Sequence, residues 1–211
     1  MPPTRSRTRL TPAARQDQLL DTARAIIIEQ GLQAFTMEGL AKTAGVSAPL
    51  VYNYFSNRKA LLQVLLRREY RRYVEDIVQA SGAAKHFEDL VRVAVTSNFD
   101  HQAPGNLLPL LLSQPEISQA VRTEQRRDRR KSAAFLVRRA TKQYQLTQRE
   151  AQLVISMASG ASIAAAELST SADLNRKDAI DSAISFIMAG IERISRPSAA
   201  QRRINLDRVD S

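Results

Sequence analysis

The sequence contains no cysteine and only two histidines among its 211 residues. Without cysteine, the chain can form no disulfide framework, no thiolate metal site and no cysteine nucleophile. The histidines, His86 and His101, are fifteen positions apart, which does not match a metal-binding spacing such as HExxH. A glycine-rich phosphate loop, a GxSxG elbow and a paired-carboxylate motif are also missing. We therefore predict no enzymatic activity, no metal site and no cofactor.

Long hydrophobic runs are also missing. We find no apolar run that approaches the roughly 20 residues that a membrane-spanning helix needs. The first residues, MPPTRSRTRLTP, lack the apolar stretch of a secretory signal peptide. Hydrophobic residues at 44% and charged residues at 25% are ordinary values for a globular protein. From these features we expect a soluble cytoplasmic protein with no membrane partner.

The excess positive charge, +10 in total, is concentrated in two stretches. Residues 1–60 contain eight Lys or Arg against four acidic residues, and residues 122–142 contain nine against two. These stretches carry +4 and +7, so the remainder of the chain carries −1. A basic balance favours polyanionic partners. For the second stretch three alternatives stay open: a solvated helix face, a site for an anionic effector such as an acyl-CoA, or a DNA contact.

Apolar residues recur at helical rather than alternating spacing along almost the whole chain, which predicts an all-α fold. A first helix fits residues 11–30, where Thr11 is a suitable cap, Pro12 suits the first turn and Gly31 suits the end. A short helix follows Thr36, which can cap it. We expect the remaining helices after Ser47 and at about 58–80, 84–101, 105–113, 115–144, 147–168 and 174–195.

The stretch AGVSAPLVYNYF, residues 44–55, combines turn and helix signals. Gly45 indicates a tight turn, and Ser47 followed by Pro49 indicates the start of a second short helix. Two short helices joined by a tight turn are typical of a helix-turn-helix, which presents its second helix to the DNA major groove. The spacing predicts a core-facing set, Val46, Val51 and Phe55, and an outer set, Ala48, Leu50, Tyr52, Asn53 and Tyr54.

In this region the sequence resembles the TetR family of bacterial transcriptional regulators. The resemblance is dense over about residues 18–64, and it implies a three-helix DNA-binding module joined to a larger C-terminal helical domain. That domain is expected to bind a small-molecule effector and to form a homodimer. The matching residues are Ala23, Gly31, Thr36, Leu40, Ala41, Ala44, Gly45, Val46, Ser47, Val51, Tyr52, Tyr54, Phe55, Lys59, Leu61 and Leu62.

The resemblance implies contacts with the phosphates of a double-stranded DNA operator. Tyr52, Tyr54 and Lys59 resemble phosphate-binding residues, and Thr36 and Ser47 resemble capping residues that also reach phosphate. Such contacts fix register and orientation but do not read the base sequence.

Base reading is expected from Ala48, Pro49, Leu50 and Asn53. Only Asn53 among them has a hydrogen-bonding side chain, and adenine is its natural partner in the major groove. Many family members have Gly in place of Pro49 and a basic residue in place of Ala48, so no operator sequence is transferred from them.

The N-terminal arm supplies further cations, Arg5, Arg7 and Arg9. Arginines in such arms insert into the minor groove, where the negative potential is strong. The alternative is a basic tail that is attracted to DNA without specificity. Both alternatives predict salt-sensitive binding.

We expect four parts in the chain: a basic disordered arm (1–10), a DNA-binding domain (11–57), an effector-binding and dimerisation domain (58–196) and a disordered tail (197–211). A helix-turn-helix gains specificity by binding two half-sites about 34 to 36 Å apart, which requires a dimer. The last two predicted helices can form a four-helix interface with their copies. Ordinary packing within the chain is the alternative. The expected interface residues are Ala158, Ala161, Ala165, Ile180, Ile184, Ile187 and Ile191.

Apolar residues of the fifth and sixth predicted helices are candidates for a ligand pocket, although the same spacing also fits an ordinary core. Asn98, His101 and Gln102 are candidates for its polar contacts, which suggests an effector of hydrophobic or mixed character. The apolar candidates are Phe87, Val91, Val95, Phe99, Leu108, Leu111 and Leu112.

Together, these features predict a ligand-responsive transcriptional regulator, a repressor that binds a palindromic operator as a homodimer and is released by a small-molecule effector. The alternative is a helical protein that binds a small molecule or a protein partner and has no sequence-specific DNA function. The presence of Tyr52, Tyr54 and Lys59 argues against that alternative.

Overall fold

The computed structural model describes residues 10–103, 105–172 and 174–195. Within these ranges the chain forms α-helices and one short 3₁₀ turn and has no β-strand, which confirms the all-α prediction. The helices are α1 (Pro12–Gln30), α2 (Met37–Thr43), α3 (Ala48–Tyr54), α4 (Arg58–Ala83), α5 (Phe87–Gln102), α6 (Leu107–Leu112), α7 (Pro115–Ser118), α8 (Arg122–Tyr144), α9 (Gln148–Ser171) and α10 (Arg176–Ser195), and the 3₁₀ turn is Gln119–Val121.

The main difference from the predicted helices lies after residue 115. The single helix expected at 115–144 is divided into α7, the 3₁₀ turn and α8. A 3₁₀ turn joins residues three apart instead of four, which tightens the chain locally. Ile117 in α7 and Val121 in the turn are both 1% exposed, so two apolar side chains fasten this segment before α8 begins.

Local signals set the ends of the first helices as predicted. Thr11 Oγ1 accepts a hydrogen bond of 3.2 Å from the Ala14 amide at the start of α1, which has Pro12 in its first turn. Gly31 ends this helix with a φ of 83°, and Gly45 turns the chain between α2 and α3 with a φ of 66°. Both values lie in the left-handed region, where a Cβ is sterically unfavourable.

The chain divides into two compact units. Of the described residues, unit 1 comprises 10–72 and 105–122, and unit 2 comprises 73–103, 123–172 and 174–195. Helix α4 contributes residues to both units. The boundary predicted between residues 57 and 58 divides an expected DNA-binding domain from an expected effector-binding domain. It does not coincide with the division into compact units, and it stays a prediction.

In unit 1, Arg58 joins the first turn of α4 to the segment between α1 and α2. Its Nε donates to the Phe35 carbonyl oxygen at 3.0 Å, and its Nη2 donates to the Leu32 carbonyl oxygen at 2.6 Å. The guanidinium also lies 5.9 Å from the centre of the Phe35 ring. Sequence reasoning assigned no role to Arg58, because its partners are 23 and 26 residues away.

An ion network around Glu69 joins α1 to α4. The Glu69 carboxylate lies 3.4 Å from Arg24, 3.4 Å from Arg68 and 3.3 Å from Arg72. Arg68 also pairs with Asp21 at 2.9 Å. The side chains of Glu69 and Arg68 are only 12% and 14% exposed, so solvent screens this network less than an ordinary surface pair.

Helices α5, α9 and α10 supply most of the core of unit 2. Helix α9 begins with a reciprocal cap, in which the Thr147 amide donates to Glu150 Oε2 at 2.8 Å and the Glu150 amide donates to Thr147 Oγ1 at 3.3 Å. The Thr147 amide and then the Thr147 hydroxyl, which both donate to Glu150 Oε2 at 2.8 Å, lower the pKa of Glu150 below its ordinary value. The buried cluster consists of Phe87, Leu90, Val91, Val95, Phe99, Ala140, Leu146, Ala151, Val154, Ala166, Ile180, Ala183, Ile184, Ile187 and Ile191.

Helix α9 bears on the expectation that no apolar run approaches the length of a membrane-spanning helix. By length and composition alone, Gln148–Ser171 qualifies. The expectation considered continuous apolar residues, whereas small Ser, Gly and Thr residues interrupt α9 and lower its hydropathy only slightly. Only 22% of its apolar window is buried within the chain. The core of unit 2 therefore does not account for most of the apolar surface of α9.

Replacing Arg58 by Ala removes two hydrogen bonds that a charged group donates to backbone carbonyls. We expect the free energy of unfolding to fall by about 1 to 3 kcal/mol, measured by urea unfolding followed by circular dichroism. The neighbouring Lys59 is exposed, so Lys59→Ala is the matched control and should leave stability nearly unchanged. Equal losses in the two variants would contradict the anchoring role of Arg58.

The starts of α2 and α3 allow a second matched comparison. Thr36 Oγ1 accepts a hydrogen bond of 3.0 Å from the Gly39 amide, whereas Ser47 makes no side-chain capping bond. Thr36→Ala should therefore lower the melting temperature through a loss of about 1 kcal/mol, and Ser47→Ala should change stability by less than about 0.5 kcal/mol. A larger loss from Ser47→Ala than from Thr36→Ala would show that the caps are assigned incorrectly.

Candidate nucleic-acid interface

The surface of α3 carries the predicted DNA-binding residues. Pro49, Tyr52 and Asn53 are exposed. Ala48, Leu50 and Tyr54 are half-buried, whereas the core-facing Val51 and Phe55 are 0% and 3% exposed. The apolar side of α3 thus fixes the helix to unit 1 and leaves its polar side open to solvent.

The turn before α3 is held by backbone hydrogen bonds. The Ala44 amide donates to Leu40 at 2.8 Å, and the Val46 amide donates to Ala41 at 3.0 Å. These bonds and the left-handed Gly45 between them redirect the chain at the end of α2. This arrangement brings α3 against α2 as in a helix-turn-helix.

Thr36 and Ser47 occupy equivalent cap positions but differ in what their hydroxyls do. The Thr36 hydroxyl is committed to α2, since its Oγ1 accepts a hydrogen bond of 3.0 Å from the Gly39 amide. The Ser47 hydroxyl is exposed and does not cap α3. Of the two, Ser47 therefore has the hydroxyl that is more readily available to a phosphate.

The Tyr52 hydroxyl contacts an acidic residue that sequence reasoning did not connect with the interface. It donates a hydrogen bond of 3.1 Å to Glu38 Oε1, which belongs to the first turn of α2. This bond raises the pKa of the Tyr52 hydroxyl above its ordinary value. Both side chains are exposed on the same side of the helix-turn-helix.

Lys59 is exposed in the first turn of α4. Asn57 caps this helix, since its Oδ1 accepts a hydrogen bond of 2.8 Å from the Ala60 amide. A cation at a helix N-terminus is opposed by the helix dipole. The helix dipole therefore does not favour Lys59 at this position, and its ammonium group is open to solvent.

A shallow open depression lies beside α3 at the start of α1. It is lined by Leu10, Pro12, Arg15, Leu50 and Tyr54. Leu10 is the first described residue, so the arm joins unit 1 next to α3. The predicted arm residues, Arg5, Arg7 and Arg9, lie outside the described residues, as does the predicted tail at 197–211.

The structure places the predicted dimer residues on the inward side of the last two helices. The four isoleucines of α10, at positions 180, 184, 187 and 191, are buried in the core of unit 2, and the three alanines of α9, at 158, 161 and 165, are half-buried. Helical spacing identified an apolar stripe but not the element that covers it. The outward side carries other apolar residues, notably Phe186, which is 72% exposed, and Leu153, which is 60% exposed.

The predicted pocket residues fall into different units. Those of α5 are buried in the core of unit 2, and those of α6 belong to unit 1. Polar groups do lie within unit 2: Asn98 Nδ2 donates to Ser162 Oγ at 2.9 Å, and Tyr73 and Ser97 share a hydrogen bond of 2.7 Å. The α5 residues in question are Phe87, Val91, Val95 and Phe99, and those of α6 are Leu108, Leu111 and Leu112.

Known proteins match this chain most clearly over the DNA-binding module. Residues 19–65 match the family model of bacterial regulatory proteins of the tetR family. The match covers α2, α3 and most of α1, and it ends within α4. It thus includes Tyr52, Asn53, Tyr54 and Lys59.

Two curated relatives share about a third of their aligned residues with this chain. The HTH-type transcriptional activator FasR of Mycolicibacterium smegmatis is 32% identical over 100 residues, which cover 46% of either chain. The HTH-type transcriptional regulator BetI of Rhizobium meliloti is 33% identical over 112 residues, which cover 51% of this chain and 55% of BetI. The chain thus spans about half the length of these relatives.

Solved structures share the fold over most of the chain. A TetR-like regulator from Rhodococcus sp. RHA1 is 23% identical, with a TM-score of 0.60 over 87% of this chain and 98% of its own. FadR of Bacillus subtilis, solved in complex with stearoyl-CoA, is 18% identical, with a TM-score of 0.57 over 82% of this chain and 98% of its own. The helix-turn-helix geometry and the family model agree over residues 19–65, so this chain carries an N-terminal module similar to that of bacterial tetR-family regulators and shares the fold of TetR-like structures over most of its length.

Proposed function

We propose that the chain is a transcriptional repressor that binds a two-fold symmetric operator as a homodimer and is released by a small-molecule effector. The observation that carries the proposal is the exposed side of α3, where Tyr52, Asn53 and half-buried Tyr54 follow one another next to exposed Lys59. Hydroxyl and ammonium donors suit phosphate oxygens, and an exposed amide suits a base edge.

The two kinds of contact make different contributions to binding. Lys59 and the tyrosines contact phosphates, so they support binding to any duplex and make it salt-dependent. Asn53 contacts a base, with adenine as its partner, so it supports binding to selected sequences. The expected roles of Ala48, Pro49 and Leu50 add apolar contact with the groove, including thymine methyl groups.

Selection of bound fragments from a random duplex library tests the proposal. At physiological salt, the wild-type protein should yield a two-fold symmetric consensus. Lys59→Ala should weaken binding to all sequences and reduce the salt dependence by about one counterion. Asn53→Ala should leave the rest of the consensus intact and relax one base position in each half-site.

Uniform loss of affinity in Asn53→Ala would show that Asn53 is not a base reader. A wild-type protein that binds with salt sensitivity but yields no consensus would overturn the regulator proposal. It would favour the helical ligand- or partner-binding alternative.

The dimer in this proposal uses the outward sides of α9 and α10. Gly160 and Gly190 are exposed within these helices, and a Cβ at either position would meet nothing within 4 Å inside the chain. Glycine costs a helix roughly 1 kcal/mol, and packing within this chain does not require it. Close approach by a second copy explains both glycines. The apolar residues exposed on these helices are Leu153, Met157, Ile163, Leu168, Phe186 and Ile194.

Phe186→Glu should weaken the dimer because it places a carboxylate in an apolar four-helix interface. We expect the dissociation constant, measured by analytical ultracentrifugation, to rise by about 30-fold or more. Phe186→Leu is the matched control and should remain dimeric. A wild-type monomer, or an unchanged dimer in Phe186→Glu, would contradict an interface on this side.

The effector of the proposed regulator is a small molecule of hydrophobic or mixed character. Two observations support this class of effector. FadR of Bacillus subtilis, which shares the fold, was solved in complex with stearoyl-CoA, and α5 of this chain is rich in apolar residues. Helix α4 runs through both compact units, so a shift of α4 is the proposed link between effector and DNA. Release requires that the effector bind the DNA-incompetent arrangement more tightly than the competent one.

A further inference from the structure

An acidic residue stands where the proposed interface needs positive charge. Between Thr36 and Ala60 the sequence has three cations and one acid, and that acid is Glu38. Its carboxylate accepts the hydrogen bond from Tyr52 at 3.1 Å. The residue that is expected to donate to a phosphate is therefore already donating to a carboxylate.

The two acceptors compete for one proton. A tyrosine hydroxyl carries a single donor hydrogen, so Tyr52 cannot donate to Glu38 and to a phosphate at the same time. Moreover, a carboxylate left without a donor beside phosphates is unfavourable in charge and in hydrogen bonding. Binding of DNA therefore requires Tyr52 to change its acceptor and Glu38 to find another donor.

The position of Glu38 in the fold explains an acid in the DNA-free protein but not its environment beside DNA. Glu38 belongs to the first turn of α2, where a carboxylate interacts favourably with the helix dipole. That interaction stabilises α2 in the absence of DNA. It provides no donor for the carboxylate once Tyr52 turns to a phosphate.

The major groove supplies donors of the required kind. Cytosine presents the exocyclic N4 amino group there, and carboxylates of Glu and Asp accept from it. Guanine O6 and thymine O4 are acceptors, which repel a carboxylate, and adenine presents its N6 amino donor beside the N7 acceptor, which opposes a carboxylate as well. A carboxylate beside α3 thus favours cytosine and disfavours guanine and thymine at the base that it faces.

We propose that Glu38 is a specificity-determining residue, which releases Tyr52 to a phosphate and accepts a hydrogen bond from a cytosine amino group in each operator half-site. This inference rests on the proposed function, since it requires sequence-specific binding. It adds a second hydrogen-bonding base reader, on α2, to Asn53 on α3. It also assigns the Tyr52–Glu38 hydrogen bond to the DNA-free protein.

Selection from a random duplex library with full-length wild type, Glu38→Ala and Glu38→Gln tests the inference. The wild-type consensus should contain one cytosine per half-site that becomes degenerate in Glu38→Ala, with a loss of about tenfold or more in preference at that position. Other positions should not change. Glu38→Gln should shift the preference there towards adenine, the base with which a glutamine amide pairs.

Tyr52→Phe is the control for the shared hydrogen bond. It removes the hydroxyl, so it should weaken binding to all sequences and keep the cytosine preference. Thermal unfolding of each variant measures how much Glu38 stabilises α2. A purely structural Glu38 would change the melting temperature without changing any base preference.

Two results are distinguishable as failures. A wild-type consensus that keeps every position in Glu38→Ala would overturn the role of Glu38 and leave the proposed function intact. The absence of any wild-type consensus would overturn the proposed function and this inference together.

Discussion

The geometry of the DNA-binding module depends on the first turn of α4. Arg58 donates to the carbonyl oxygens of Leu32 and Phe35, which belong to the segment that leads into α2. Those carbonyls lie outside the helical hydrogen-bond ladder, and the Leu32 oxygen also accepts a long bond of 3.4 Å from the Phe35 amide, so the charged donor strengthens the pairing of backbone groups that are costly to leave unsatisfied. Since α2 supports α3 and Lys59 follows Arg58 directly, the same contact fixes the proposed phosphate donors relative to one another.

Helical periodicity was sufficient to predict the fold class and the buried side of α3, and the turn and cap signals of residues 44–55 were sufficient to place the helix-turn-helix. These features depend on residues close in sequence, such as Gly45 with its left-handed φ and Val51 with its buried side chain. Periodicity could not identify what covers an apolar stripe. The isoleucines of α10 therefore suggested a dimer contact, whereas they pack within unit 2 and leave Phe186 exposed.

Contacts between residues far apart in sequence could not be predicted either. Arg58 is 23 residues from Phe35, and Tyr52 is 14 residues from Glu38. No propensity or spacing rule joins such pairs, because the turn geometry that brings them together is set by backbone conformation. One signal was present in the sequence: Glu38 is the single acid in a basic stretch from residue 36 to residue 60.

The charges of the interface separate affinity from specificity. The cations attract every duplex equally, so they raise binding to the excess of unrelated DNA as much as binding to an operator. An acidic residue at the same surface weakens binding to unrelated DNA and to an operator alike, except where a base donates a hydrogen bond to the carboxylate. Glu38 thus costs affinity on most sequences and less on the matching one, and a difference in affinity between sequences is what specificity requires. Among the expected base contacts of α3, only Asn53 can form hydrogen bonds with its side chain. A second residue that distinguishes bases, Glu38, therefore adds a large share of the direct readout.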